Sequence, residues 1–183
     1  MDPERLLTHF QALFYTACKL TGDRTVAEDL VQDTYLKAYR ALTQLQHPER
    51  NKAWLFRIML NTWNNQLGRA KRAPLLMEPN QLSVERERSA SHHPWFLPIN
   101  PEDTLLKKEM LLELNAALQD LPELLRAVIL LVDVQGLTYE ESAQVLGLPR
   151  GTVMSRLYRA RRVLEEYFRD HFQKSGEDAN GRP

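Results

Sequence analysis

Cysteine is all but missing from this chain: Cys18 is the only one among 183 residues. A lone thiol closes no internal disulfide, so the fold must rest on packed apolar side chains. Its setting, the apolar sequence from Phe14 to Leu20, suits a small buried hydrophobe better than a reactive thiol. Glycine is scarce too, with seven residues, and they form no phosphate-cradling loop. A nucleophile elbow and a supported pair of catalytic carboxylates are also missing. His92 and His93 are adjacent but lack companions at metal-ligand spacing. No apolar run reaches the roughly eighteen residues of a membrane span. The opening MDPERLL lacks the basic-then-apolar order of a signal peptide. Together these absences point away from catalysis, cofactors, metals, small-molecule substrates and membrane insertion, and toward a non-enzymatic protein of the cytoplasm.

What is present is helical periodicity. Ten prolines and seven glycines fall mostly between periodic segments, and no long stretch alternates with period two, which makes the class all-α. With 43% hydrophobic residues the chain can bury one sizeable core or two small ones. The pattern places two small helical domains at 1–73 and 102–172, a long flexible linker at 74–101 and a disordered tail at 173–183. Pro74, Pro79, Pro94, Pro98 and Pro101 mark the linker, which is longer than the connections compact domains use. It is either disordered or laid into a partner's groove, and the apolar run Trp95, Phe96, Leu97 favours the groove.

Formal charge sums to zero, but the charges are segregated. From Arg50 to Arg72 there are six basic residues and no acidic one. From Leu148 to Phe172 six arginines stand against three acidic residues, whereas from Leu105 to Gly147 three basic residues face seven acidic ones. Local fields, not the total, attract phosphate, so two segments suit nucleic acid and the acidic one suits a protein partner.

The stretch LTYEESAQVLGLPRGTVMSRLYRARR, Leu137 to Arg162, has the spacing of a helix-turn-helix. Thr138 with Glu141 three residues on forms a capping box that starts the first helix. Gly147 closes it, since glycine tolerates the left-handed conformation, and Pro149 suits the first turn of the next helix. Val153, Leu157, Ala160 and Leu164 then make an inward stripe against Ala143, Leu146 and Leu148. At about 100° per residue the opposite face carries Ser155, Tyr158, Arg159 and Arg162, flanked by Thr152, Arg156 and Arg161. Arginine can read guanine bidentately or neutralise a phosphate, and spacing does not separate the two roles. The same pattern also fits a solvated basic face on an ordinary helical hairpin.

In the first block, Ala27 to Leu42 reads as an amphipathic helix with Ala27, Leu30, Val31, Thr34, Ala38 and Leu42 inward and Glu28, Asp29, Gln32 and Asp33 outward. After a loop, a second helix turns Leu55, Ile58, Met59, Thr62 and Leu67 inward. Its polar side repeats Arg57, Asn61, Asn64, Asn65 and Gly68 and finishes in Arg69, Lys71 and Arg72. Three asparagines on one helical face call for a reason, because asparagine is a mediocre helix former. Amides pair with adenine edges, and Trp54, Phe56 or Trp63 could stack on an unpaired base. Core packing is the other reading, favoured for each tryptophan taken singly.

AEDLVQDTYLKAYRAL, then NKAWLFRIMLNTWNNQLGRAKR, then a variable linker, then LQDLPELLRAVILLVDVQGLTYEESAQVLGLPRGTVMSRLYRARR, resemble in this order the extracytoplasmic-function sigma factors of bacterial RNA polymerase. The likeness covers about residues 5 to 168, and around Leu55 to Arg72 it is nearest to the branch responding to thiol oxidation, whose members are held by zinc-binding anti-sigma proteins. The resemblance implies a sigma region 2 domain, a sigma region 4 domain and a subunit that binds core polymerase and recognises promoter DNA. It implies docking of Glu28, Asp29, Gln32, Asp33 and Leu36 on the clamp helices of the β′ subunit, and of the C-terminal domain on the β flap. It assigns the minus 10 element to Arg57, Asn61, Asn64, Asn65, Arg69, Lys71 and Arg72. The minus 35 element falls to Arg150, Thr152, Ser155, Arg156, Tyr158, Arg159 and Arg162, and an anti-sigma factor is expected as a controlling partner.

Three positions depart from the family pattern. Asn65 stands where aspartate is frequent, Gly68 where arginine is common, and Met154 where arginine or lysine often begins the recognition helix. Promoter preference at those bases is therefore this chain's own. Two rival readings are a helix-turn-helix regulator of duplex operators and a helical adaptor that binds only protein. The first would need a sensor or dimerisation module, which the N-terminal block does not resemble.

Overall fold

The computed structural model describes residues 4–45, 50–70 and 105–180, with side-chain surroundings given for all of these except 4–5, 44, 69–70, 105–109 and 170–180. Among the described residues every regular element is helical, and they fall into two compact units. The linker, with His92, His93, Trp95, Phe96 and Leu97, lies outside the described residues, as do Lys71 and Arg72.

The first unit holds α1 (Glu4–Leu7), α2 (Phe10–Thr21), α3 (Arg24–Arg40), a short 3-10 turn (Leu42–Gln44) and α4 (Asn51–Ala70). Gly22 ends α2 with φ 71°, and Asp23 caps α3 by accepting from the Val26 N–H at 3.0 Å. The α3 helix packs against both α2 and α4. Ala27, Leu30, Val31, Thr34 and Ala38 are buried on it, as the periodicity requires. Leu42 falls just past the end of the helix and is half-buried. Opposite them lie Leu13, Ala17 and Leu20 of α2 and Leu55, Phe56, Met59 and Leu60 of α4. Phe56 is completely buried, so the option of stacking it on a base is withdrawn. Trp54 and Trp63 are half-buried.

The second unit holds α5 (Leu105–Asp120), α6 (Glu123–Ile129), a π turn (Leu130–Val134), α7 (Tyr139–Leu146) and α8 (Arg150–Asn180). Arg126 of α6 reaches back to the end of α5, donating to Gln119 Oε1 at 2.8 Å and to the carbonyls of Gln119 and Leu121 at 2.5 and 2.9 Å. It thereby serves carbonyls that have no partner inside their own helix. Ala127 through Leu131 are buried without interruption, because this segment crosses the middle of the unit. The π turn follows, with the Gln135 N–H on the Leu130 carbonyl at 2.9 Å.

The helix-turn-helix starts as the sequence requires. Thr138 accepts from the Glu141 N–H at 3.2 Å while its own N–H donates to Glu141 Oε2 at 2.9 Å. Gly147 takes φ 65° and closes α7. At the far end the structure corrects the sequence reading: α8 runs to Asn180, through most of the segment expected to be a disordered tail. No proline interrupts it before Pro183, and the Arg162–Glu166 and Arg169–Glu165 pairs, both 3.0 Å, carry the helical register onward.

Candidate nucleic-acid interface

Each unit presents a candidate face of its own, α8 in the second and α4 in the first. On α8, Val153, Leu157 and Ala160 are buried, which fixes the rotation of the helix. Arg150, Ser155, Tyr158, Arg159 and Arg162 are exposed as a result, and Thr152 and Arg156 are half-buried at the edge. The Ser155 hydroxyl donates to the Thr152 carbonyl at 3.0 Å and keeps its oxygen as an acceptor.

The arginines on this face are not equivalent. Arg161 is held by Asp133 of the π turn through two hydrogen bonds of 2.6 and 3.0 Å, which push its guanidinium pKa further up. Arg162 is drawn along the helix to Glu166 at 3.0 Å. Arg150 and Arg159, by contrast, hold no ion pair among the described residues. A free guanidinium can meet a phosphate or a guanine without first breaking an existing bond.

On α4, Arg57, Asn61 and Asn65 are exposed together, while Asn64 is half-buried beside them. Asn64 Oδ1 is shielded from solvent and has no hydrogen-bond donor, a costly state that an incoming donor would relieve. At Gly68 a Cβ would meet nothing within 4 Å, so the helix surface is open there. Arg69 is described in its backbone alone.

The residues expected to bind polymerase share α3, with different fates. Glu28, Asp29 and Gln32 are exposed, and Leu36 leaves 51% of its surface to solvent. Glu28 is paired with Arg24 at 2.8 Å. Asp33 is half-buried and accepts from Gln66 of α4 at 3.4 Å, so it belongs partly to the α3–α4 seam. Beside it Lys37 donates to Thr62 at 2.9 Å. These cross-helix bonds, like the Asp133–Arg161 pair, join residues 25 to 33 positions apart, and no periodic signal announces them.

Residues 6–73 match the family model Sigma-70 region 2, and residues 111–164 match Sigma-70, region 4. The chain is 34% identical over 149 residues to the RNA polymerase sigma-H factor of Pseudomonas aeruginosa, an alignment covering 81% of this chain and 76% of that protein. It belongs to the extracytoplasmic-function sigma factors of the sigma-70 family. Another relative, the ECF RNA polymerase sigma-E factor of Escherichia coli, is 35% identical over 137 residues, covering 75% of this sigma factor and 71% of its own length. The ECF RNA polymerase sigma factor SigE of Mycolicibacterium smegmatis is 32% identical over 176 residues; the alignment takes in 96% of this chain but only 65% of that longer protein.

Solved structures agree. The sigma factor RpoE of Bartonella quintana, in complex with the anti-sigma factor NepR, superimposes with a TM-score of 0.66 at 29% identity, covering 91% of this sigma factor and 95% of that chain. CnrH in complex with the cytosolic domain of CnrY gives 0.60 at 27% identity, covering 92% and 88%. The α4 face thus lies within region 2 and the α8 face within region 4, in a family of transcription-initiation factors rather than enzymes. Among the described residues, no helix is long and apolar enough to cross a membrane.

Proposed function

We propose that this sigma factor binds core RNA polymerase in the cytoplasm and directs it to promoters with paired minus 10 and minus 35 elements. The observation that supports this reading is the orientation of α8, whose stripe Val153, Leu157 and Ala160 is buried while Arg150, Ser155, Tyr158 and Arg159 are left exposed, as a helix entering a DNA groove requires. Thr152, Arg156 and Arg162 flank them and meet the same duplex. The α4 face, with Arg57, Asn61, Asn64 and Asn65 and the basic run Arg69, Lys71 and Arg72 that follows, engages the minus 10 element as it opens. Unpaired bases offer every edge to amide side chains.

Glu28, Asp29, Gln32, Asp33 and Leu36 supply the surface for the β′ clamp helices, and the C-terminal unit that for the β flap. An anti-sigma factor controls the chain, a reading supported by the similar sigma factor RpoE, solved in complex with the anti-sigma factor NepR. The wording of Leu55 to Arg72 adds the branch responding to thiol oxidation, and zinc in the complex captured from the host would distinguish it.

The deciding experiment is run-off transcription with purified core polymerase, with and without the chain, on a fragmented host genome. New starts sharing paired upstream elements are the expected result. No change in any start site, with folded protein, would leave an operator-binding regulator as the better account.

A further inference from the structure

Met154 is the fifth residue of α8, and 47% of its surface is exposed. It stands between Arg150 and Tyr158, each one turn away on the same side of the helix, and Tyr158 is 64% exposed. The buried residues Val153, Leu157 and Ala160 hold this side outward, so the exposure of Met154 follows from the packing of the unit. An apolar pair is thus displayed one turn from Arg150, with Arg159 following Tyr158 on the same helix, and neither arginine holds an ion pair among the described residues. A thioether donates no hydrogen bond and carries no charge, so Met154 cannot serve a phosphate as an arginine at that place would. In the major groove, the base-edge feature that an apolar side chain recognises is the C5-methyl group of thymine. Methionine suits this contact, being unbranched, polarisable and able to adjust its reach.

We propose that Met154, backed by Tyr158, is a specificity-determining residue that reads the methyl group of one thymine in the minus 35 element. The inference rests on the reading of α8 as the helix that enters the minus 35 groove. Arg150 and Arg159 fix the register of the helix, and Met154 selects thymine where a cationic residue would select a hydrogen-bonding edge or no base at all. Discrimination comes from apolar surface removed from water on both partners, so it is modest and insensitive to salt, unlike the arginine contacts.

The test uses the full chain bound to core polymerase and promoter fragments chosen from the mapped starts. Each thymine of the minus 35 element is replaced in turn by deoxyuridine, which removes the methyl group and nothing else. At one position affinity falls about threefold to fivefold, the worth of burying one methyl group. In Met154→Ala that sensitivity disappears, and in Met154→Leu it persists. The alanine variant folds, because the 47%-exposed side chain makes no part of the core, and it binds the thymine and deoxyuridine fragments alike. Equal binding of thymine and deoxyuridine fragments at every position overturns the inference, as does a methyl effect unchanged in Met154→Ala or an element without thymine. In those cases promoter binding itself is intact. A complex that binds no promoter fragment overturns the underlying sigma reading, and the inference falls with it.

Discussion

Arg161 and Asp133, 28 residues apart, are joined by two hydrogen bonds of 2.6 and 3.0 Å that tie α8 to the π turn after α6. The π turn places Asp133 where a guanidinium fork can meet both carboxylate oxygens, a geometry that fixes orientation as well as distance. The pair is solvent-accessible, with 54% of the arginine side chain and 32% of the aspartate side chain exposed. Its contribution is accordingly modest. Asp133→Ala is expected to lower stability by about 0.5 to 1 kcal/mol, and a double-mutant cycle with Arg161→Ala in urea denaturation should return most of that as coupling. Additive single mutants would show that the two side chains act independently.

Arg159 offers the contrasting case of an arginine on the same helix with no ion pair among the described residues. Arg159→Ala should weaken binding of the isolated minus 35 duplex by about 1 to 3 kcal/mol if the contact is bidentate to a base, and should relax preference at one position. Arg162→Ala should cost less, because Glu166 already engages that guanidinium at 3.0 Å. A titration of labelled duplex at two salt concentrations distinguishes these roles, since a pure phosphate contact lowers the salt slope without changing base preference.

Two glycines flank the turn of the helix-turn-helix and should respond oppositely to alanine. Gly147 has φ 65° with nothing within 4 Å of an added Cβ, so Gly147→Ala costs only the left-handed conformation, about 1 kcal/mol. Gly151 lies inside α8 with equally open space and no positive φ. Gly151→Ala should therefore stabilise by about 0.5 kcal/mol, by restricting the unfolded chain. Thermal unfolding of the two variants beside the parent checks both signs.

The core of the first unit contains a basic residue. Lys19 is 1% exposed, its ammonium lies 5.0 Å from the centre of the Tyr15 ring, and burial lowers its pKa to about 8 from 10.5. Between those two values the unfolded chain holds a proton that the folded chain has released, so the contribution of this group to stability improves as pH rises through that window. Burial raises Cys18 to about 11 from 9.0, which works the other way from about pH 9 upward. Lys19→Met should therefore be more stable than the parent at neutral pH by about 1 to 3 kcal/mol, with the difference narrowing once pH passes 8. Chemical denaturation of both proteins from pH 7 to 9 measures the gap, and a constant gap would contradict the assigned cause.

Where interactions are local, the sequence was sufficient. The Thr138–Glu141 capping box, the left-handed Gly147 and the buried stripe Val153, Leu157, Ala160 were all legible, because each depends on residues within a turn or two of one another. The outward direction of Ser155, Tyr158 and Arg159 was legible for the same reason, whereas the order of the two sigma regions was legible through the resemblance of whole segments to the family.

Contacts between distant segments needed the tertiary structure. Periodicity gives each helix an inside and an outside but does not say how wide the inside is, and that width decided the burial of Phe56 and the half-burial of Asn64 and Asp33. It cannot say which arginine meets a carboxylate from another element, and so could not separate Arg161 from Arg159. Nor did composition reveal that α8 would pass 172 and reach Asn180. Local propensity and spacing are properties of the chain taken in order. Which cation is left without an ion pair among the described residues is settled only when packing brings Asp133 beside Arg161 and leaves Arg159 facing water.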